Sequence, residues 1–408
     1  MCINVKSNIN FRDLPNKGFF VSLLLVSVLF FSCFIPLFSN NISPFALGAY
    51  DRRVSNEMEL RNAIYGAVVP TVIALTADIT ITETSLVIPE DKEITLKSAK
   101  SGGFWKLLGA SDLATIFVGG KLTLESIIVT HVKDASNSGV YVNGGSLILS
   151  GGEISGNTAA EGGGVYNTGS FVMTGGTITN NTAGRYGGGV ANFGTFTMLS
   201  GDIYNNTVAY GGGVYNAGYS FELLGGRIVN NSASRGGGIY SVTAKSFSMS
   251  GGEVSGNTAY WGGGVYNYNS NFTMSGGVIS DNTAYHSGGG VFLRFSEFTM
   301  SGGKISDNTV LYSDNDISGS GFGGGVSNWE GTVELLGGKI SGNTAPNGGG
   351  NVYTLGDVYY FGVRDIVLIT CVGVVLVVLG IVFSCVFYVQ KKRRAPVGEK
   401  LGANNLKG

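Results

Sequence analysis

The clearest order in this chain is an alternation of apolar and polar residues that returns at a fixed interval. Phe171-x-Met173, Phe196-x-Met198, Phe221-x-Leu223, Phe247-x-Met249, Phe272-x-Met274 and Phe298-x-Met300 put two apolar side chains on one face, with Val, Thr, Glu or Ser between them. A period of two is the signature of a strand. A second apolar position recurs at Ile178, Ile203, Ile228, Val254, Ile279 and Ile305, and a third at Val165, Val190, Val214, Ile239, Val265 and Val291. Each copy therefore predicts three strands of a few residues, separated by glycine turns such as Gly162-Gly163-Gly164.

The interval is set by an asparagine before Thr or Ser. It falls at Asn157, Asn181, Asn206, Asn231, Asn257, Asn282, Asn308 and Asn343, with spacings of 24, 25, 25, 26, 25, 26 and 35. Periods of this size signal a solenoid. Strands this short cannot pair within one copy, so their backbone groups are satisfied only by the copies above and below. The expected fold is all-β, a parallel β-helix of about 25 residues per coil, with Phe, Met and Ile in interior files about 4.8 Å apart. The asparagine column is expected to form an amide ladder along the axis and to take the left-handed backbone of a sharp turn. Gly-Gly-Gly is expected to supply positive φ, and Ala159, Ala183, Ala233, Ala259 and Ala284 to let the turn pack inward.

Upstream, residues 50–142 read as looser strands (VIALTADITIT, LVIPEDKEITLKS, ATIFVGGKLTLESIIVT), preceded by NEMELRNAIYGA, a short helix that would cap the open end of the stack. The regular repeats occupy 143–355, and 356–365 form a linker. Ile366 to Val389 follows, 24 residues without a charge, enough for a transmembrane helix. The basic tail 390–408 begins with Lys391, Lys392, Arg393 and Arg394, which places that end in the cytoplasm and the repeats outside. Residues 1–48 read as a secretion signal or signal anchor: Gly18 to Phe38 is apolar, follows Lys6, Arg12 and Lys17, and precedes Ala46-Leu47-Gly48. The partners implied are a membrane and an extracellular glycan or protein surface.

Composition sharpens this picture. The chain has 408 residues, of which 67 are Gly, 43% are hydrophobic and 13% charged, a balance that supports a packed core. Its four cysteines, Cys2, Cys33, Cys371 and Cys385, lie in or beside the terminal segments, so the repeats are held without disulfides. Between the termini 17 basic residues face 25 acidic ones, which excludes a nucleic-acid footprint.

The run Glu57-Met58-Glu59-Leu60-Arg61-Asn62-Ala63-Ile64 through IALTADITI, with the GG-x-I-x-x-N-T-A-x-x-GGG-V-Y-N units, resembles the right-handed parallel β-helix repeat proteins of microbial surfaces, which have a pectin-lyase-like fold. It is also similar to polymorphic outer membrane protein repeats and adhesin-like proteins. The resemblance covers about residues 55–354 and implies right-handed winding. The C-terminal barrel of an autotransporter is missing from the pattern, and a single apolar helix stands in its place. Because this architecture carries both enzymes and passive surface rods, the resemblance by itself implies no activity.

Enzymes of this fold cluster carboxylates on an external groove. The nearest match is Asp281 and Asp307, one coil apart in the column before the asparagines, with Asp314, Asp316 and Lys304 nearby in sequence. Such carboxylates could hold a cation, with Ca²⁺ the candidate, although Gly or Asn fills the same column elsewhere and marks it as a solvent-facing turn. No other cofactor and no catalytic residue is expected. His131 and His286 offer no metal-ligand spacing, and the glycine runs lead into strands, unlike a phosphate loop.

The aromatic residues are the stronger ligand-binding candidates. Arg185, Tyr186, Tyr210, Tyr260, Trp261 and Tyr285, with His286 and Phe322, fall between the Asn-Thr-Ala turn and the glycines, where stacked coils would bring ring faces to one edge. Tyr166, Tyr215, Tyr240, Tyr266 and Phe292 would point outward beside them, and could equally stack on one another to stiffen the sheet. Asn41, Asn180, Asn205, Asn230 and Asn271 stand in N-x-S/T triplets. The expected protein is a membrane-anchored, non-catalytic surface rod, adhesin-like or envelope-structural. A polysaccharide-binding or polysaccharide-degrading protein is the alternative.

Overall fold

The computed structural model describes residues 51–360 apart from 133–135, 312–320 and 356. Both predicted membrane segments, the basic tail, Asp314 and Asp316 lie outside the described residues. Among those described, no helix is long and apolar enough to cross a membrane.

The chain winds into a parallel β-solenoid of about 12 turns. Its strands form sheets of 22, 11 and 7 members. Pairing is parallel and keeps the sequence repeat in register: Phe171 lies over Phe196, Phe196 over Phe221, Phe221 over Phe247, Phe247 over Phe272 and Phe272 over Phe298. These rings are fully buried and stacked with their planes within 23° of parallel, centroids 4.6, 4.9, 5.4, 4.3 and 4.9 Å apart. Met173, Met198, Leu223, Met249, Met274 and Met300 form a second buried file, and the Ile178 and Val165 columns close the core from the other sides.

A regular turn contains four strands, one more than the alternation predicted. The added strand is Thr158–Glu161 and its equivalents, such as Thr207–Tyr210 and Thr258–Trp261, which build the sheet of 7. Only one inward residue per turn marks this strand, usually the small Ala of the Asn-Thr-Ala motif, so the segment reads as a turn in sequence although its backbone pairs like its neighbours. The residues expected in loops, Tyr186, Tyr210, Tyr260, Trp261 and Tyr285, are therefore in strands.

Two turn expectations are corrected. The left-handed residue is not the ladder asparagine but the one before it: φ is +55 at Asn180, +56 at Asn205 and Asn230, +57 at Asp281 and +61 at Asp307, with Gly156, Gly256 and Gly342 in the other turns. The ladder asparagine has to aim its amide inward, while the corner residue faces solvent, where Gly, Asn and Asp tolerate this backbone best. Positive φ also explains only the first glycine of the triplets before Gly348, where Gly348 and Gly349 both adopt it. Gly211 has φ +72, whereas a Cβ on Gly212 would strike the Gly237 carbonyl and one on Gly213 would strike Ile228.

Helix α1, Glu57–Tyr65, forms where the sequence predicted a helix and packs on the first strands, burying Leu60, Ala63 and Ile64. A reciprocal cap starts it: Asn56 accepts from the Glu59 N–H at 3.0 Å and Glu59 accepts from the Ser55 N–H at 2.7 Å. Arg61 then donates to the Thr84 and Ser85 carbonyls, fastening the helix to the next turn.

Candidate binding face

The eight asparagines form one continuous ladder. From Asn181 onward each side-chain Oδ1 accepts two bonds from the asparagine of the preceding turn, one from its backbone N–H and one from its Nδ2. For Asn206 to Asn231 both distances are 3.0 Å, and the pattern runs from Asn157 to Asn343. Each Nδ2 from Asn181 onward also donates to an inward-strand carbonyl one turn back, as Asn231 does to Ile203 at 2.9 Å. This uses nearly the full capacity of a buried amide, which makes the column structural.

His131 heads the ladder. Because the Asn157 Nδ2 donates to Asn181, its Oδ1 is left to accept from His131 Nδ1 at 2.9 Å, while His131 Nε2 lies 3.0 Å from the Leu113 carbonyl. The imidazole thus occupies the place of a ninth asparagine. His131→Asn is expected to change unfolding free energy by less than about 1 kcal/mol, and His131→Ala, which strands Asn157 Oδ1, to cost about 1–3 kcal/mol in chemical denaturation.

A second ladder was not read from the sequence. Asn167 Nδ2 donates to Asn192 Oδ1 at 2.7 Å, Asn192 to Asn216 at 2.8 Å, and Asn216 to Ser241 Oγ at 3.2 Å. The column then passes through Asn267, Leu293 and Asn328. Leu293 breaks it, and the buried Oδ1 atoms of Asn267 and Asn328 on either side make no hydrogen bond. The near-constant spacing of the asparagines in the Val-Tyr-Asn units was the signal that could have revealed it.

Outside the core lies a second apolar layer. Tyr215, Tyr240, Tyr266 and Phe292 point away from the interior, yet all are buried, at most 7% exposed. Neighbouring rings in this file stand 5.6, 4.9 and 5.0 Å apart. They are covered by the ends of the seven-stranded sheet: Tyr186 stacks on Tyr215 at 4.4 Å, Tyr210 lies 5.7 Å from Tyr240, and Arg235 sits over Tyr210, Trp261 and Tyr266 at 5.5, 5.2 and 5.9 Å. Arg235 is a cation–π clamp that the sequence reading missed. Burial pushes the Tyr240 phenol up to about 12 and raises Tyr166, Tyr215 and Tyr266 as well, so these phenols keep their protons, Tyr266 beneath the Arg235 cation.

The ligand-binding candidates accordingly divide. Tyr186, Tyr210 and Trp261 are half-buried in this seam, and Arg185 is exposed with its guanidinium 5.0 Å from the Tyr186 ring. Tyr260 and Tyr285 are 41% and 47% exposed on adjacent turns. His286 joins them, with its ring 5.3 Å from Tyr260 and 5.1 Å from Trp261. Phe322 bridges to Ser287 from the next turn, with its ring stacked on Tyr353 at 4.2 Å.

Asp281 and Asp307 lie exposed in the left-handed corner of adjacent turns, and Lys304 Nζ is 3.7 Å from Asp307. Among the described residues, no group of three or more His, Cys, Asp or Glu is arranged to hold a metal ion. Comparison with protein-family models, with curated proteins and with solved structures gives no match. The geometry thus defines the class, a parallel β-solenoid with a buried aromatic seam and a short exposed aromatic strip.

Proposed function

We propose that this protein is a membrane-anchored cell-surface rod that presents its repetitive face for adhesion or envelope structure and performs no catalysis. In this reading the winding is right-handed and pectin-lyase-like, the repeats stand outside the cell, and Ile366 to Val389 anchors them. The observation that carries it is the pair of exposed rings, Tyr260 and Tyr285, on adjacent turns, with Tyr260 packed against Trp261 and His286. Rings held this way offer flat apolar faces at little entropic cost, suited to a sugar ring or a protein surface.

The full chain, displayed on cells, tests this against a glycan array and immobilised surface proteins. Tyr260→Ala/Tyr285→Ala is expected to weaken binding about tenfold or more, roughly the 1.4 kcal/mol of one ring contact, without changing the melting temperature. Asp281→Ala/Asp307→Ala is expected to leave binding unchanged. Cleavage of an acidic polysaccharide that disappears in the aspartate variant would replace this reading with the enzymatic one.

A further inference from the structure

The left-handed corner of the solenoid holds a row of amides that the fold does not use. Asn180, Asn205 and Asn230 follow one another in three consecutive turns, all exposed, and their side chains make no hydrogen bond. They contrast with the ladder asparagines beside them, whose amides are buried and bonded. Two residues on, the hydroxyls of Thr182, Thr207 and Ser232 are exposed as well, stacked in register on the outer face of the third sheet. Each turn therefore sets a free carboxamide and a free hydroxyl at the two ends of an N-x-S/T triplet.

A separate feature marks the same three turns. The residue two places beyond the hydroxyl is small there, Gly184, Ala209 and Ser234. In the next three turns, whose corners are Gly256, Asp281 and Asp307, the equivalent residues are Tyr260, Tyr285 and Leu311, all exposed. At this place bulk is thus absent beside the free amides and present in three turns whose corner carries none; the Gly156 turn, with the small Ala160, lacks both, and Arg185 is exposed next to Gly184.

We infer that Asn180, Asn205 and Asn230 are sites of N-linked glycosylation, forming a glycan-bearing edge next to a bare aromatic strip. The donor is a polyprenyl-diphosphate-linked oligosaccharide. The bond from the asparagine Nδ2 to the sugar C1 forms, the bond from C1 to the diphosphate oxygen breaks, the lipid diphosphate departs, and the amide proton passes to a base of the transferase. Asn271, exposed on a flat strand, lies outside this row. The inference rests on the surface reading, because the repeats must reach the compartment where such donors are used.

Translation of the full chain with glycosylation-competent microsomes separates the two. Protease added outside reports whether the repeats have crossed the membrane, and peptide mass spectrometry after enzymatic glycan removal reports each asparagine. Protected repeats with glycans at these three positions are expected. Asn180→Gly/Asn205→Gly/Asn230→Gly, which keeps a residue suited to the corner, is expected to lose these glycans and retain the melting temperature; Thr182→Ala/Thr207→Ala/Ser232→Ala is expected to lose them with every asparagine in place. Protected repeats unmodified at all three positions would overturn the inference alone. Repeats digested from outside would overturn the surface reading, and the inference with it.

Discussion

Replacing Asn231 with alanine is expected to destabilise the solenoid by about 2–5 kcal/mol, more than any exposed substitution on its surface. The Asn231 Oδ1 accepts both the backbone N–H and the Nδ2 of Asn206, and the two protons of its own Nδ2 are divided among Asn257 and the Ile203 and Val229 carbonyls. Alanine would leave a buried backbone donor without any partner, and each such group costs about 1–3 kcal/mol. Asn231→Asp should be at least as harmful, because it keeps the acceptor but puts a charge where the ladder needs a donor. Urea denaturation of the three proteins checks the order. Equal stability of wild type and alanine variant would show that the ladder contributes nothing net.

Phe247→Ala should be comparably severe, about 3–5 kcal/mol, and Phe247→Leu milder, less than about 1.5 kcal/mol. The ring lies between Phe221 at 5.4 Å and Phe272 at 4.3 Å and is 1% exposed. Its loss opens a cavity that neighbours tied into parallel strands cannot readily collapse to fill. Solenoid turns contact chiefly the turns beside them, so the damage is expected to be local. Hydrogen exchange should quicken first in the strands around Phe221–Leu223 and Asn271–Met274 and last near helix α1.

Much of this architecture was legible because a solenoid writes its contacts into its period. Once Phe196, Phe221 and Phe247 are seen to be one turn apart, their stacking follows from strand spacing alone. The Asn157 ladder was legible for the same reason. What stayed hidden depends on direction within a turn. The third sheet escaped notice because one small inward residue per turn leaves almost no alternation to detect. The Tyr215 column was read as outward, and it is, but its burial depends on Tyr186 and Arg235 folding back over the glycine corner, a geometry that spacing does not encode. The candidate strip shrank accordingly from a long aromatic edge to Tyr260, Tyr285 and their near neighbours.

The ladder also has a sense. Every rung borrows its acceptor from the rung that comes later in the chain, so a stack broken off behind Asn308 would expose two hungry donors at its end. The last rung escapes this because the chain doubles back and lends it the Oδ1 of Asn351, only eight residues on. Whole periods can therefore be excised or added in the interior by splicing one asparagine to the next, and the number of turns is free to vary. The closing asparagine has to travel with the final turn, like the keystone that must be set last in any arch.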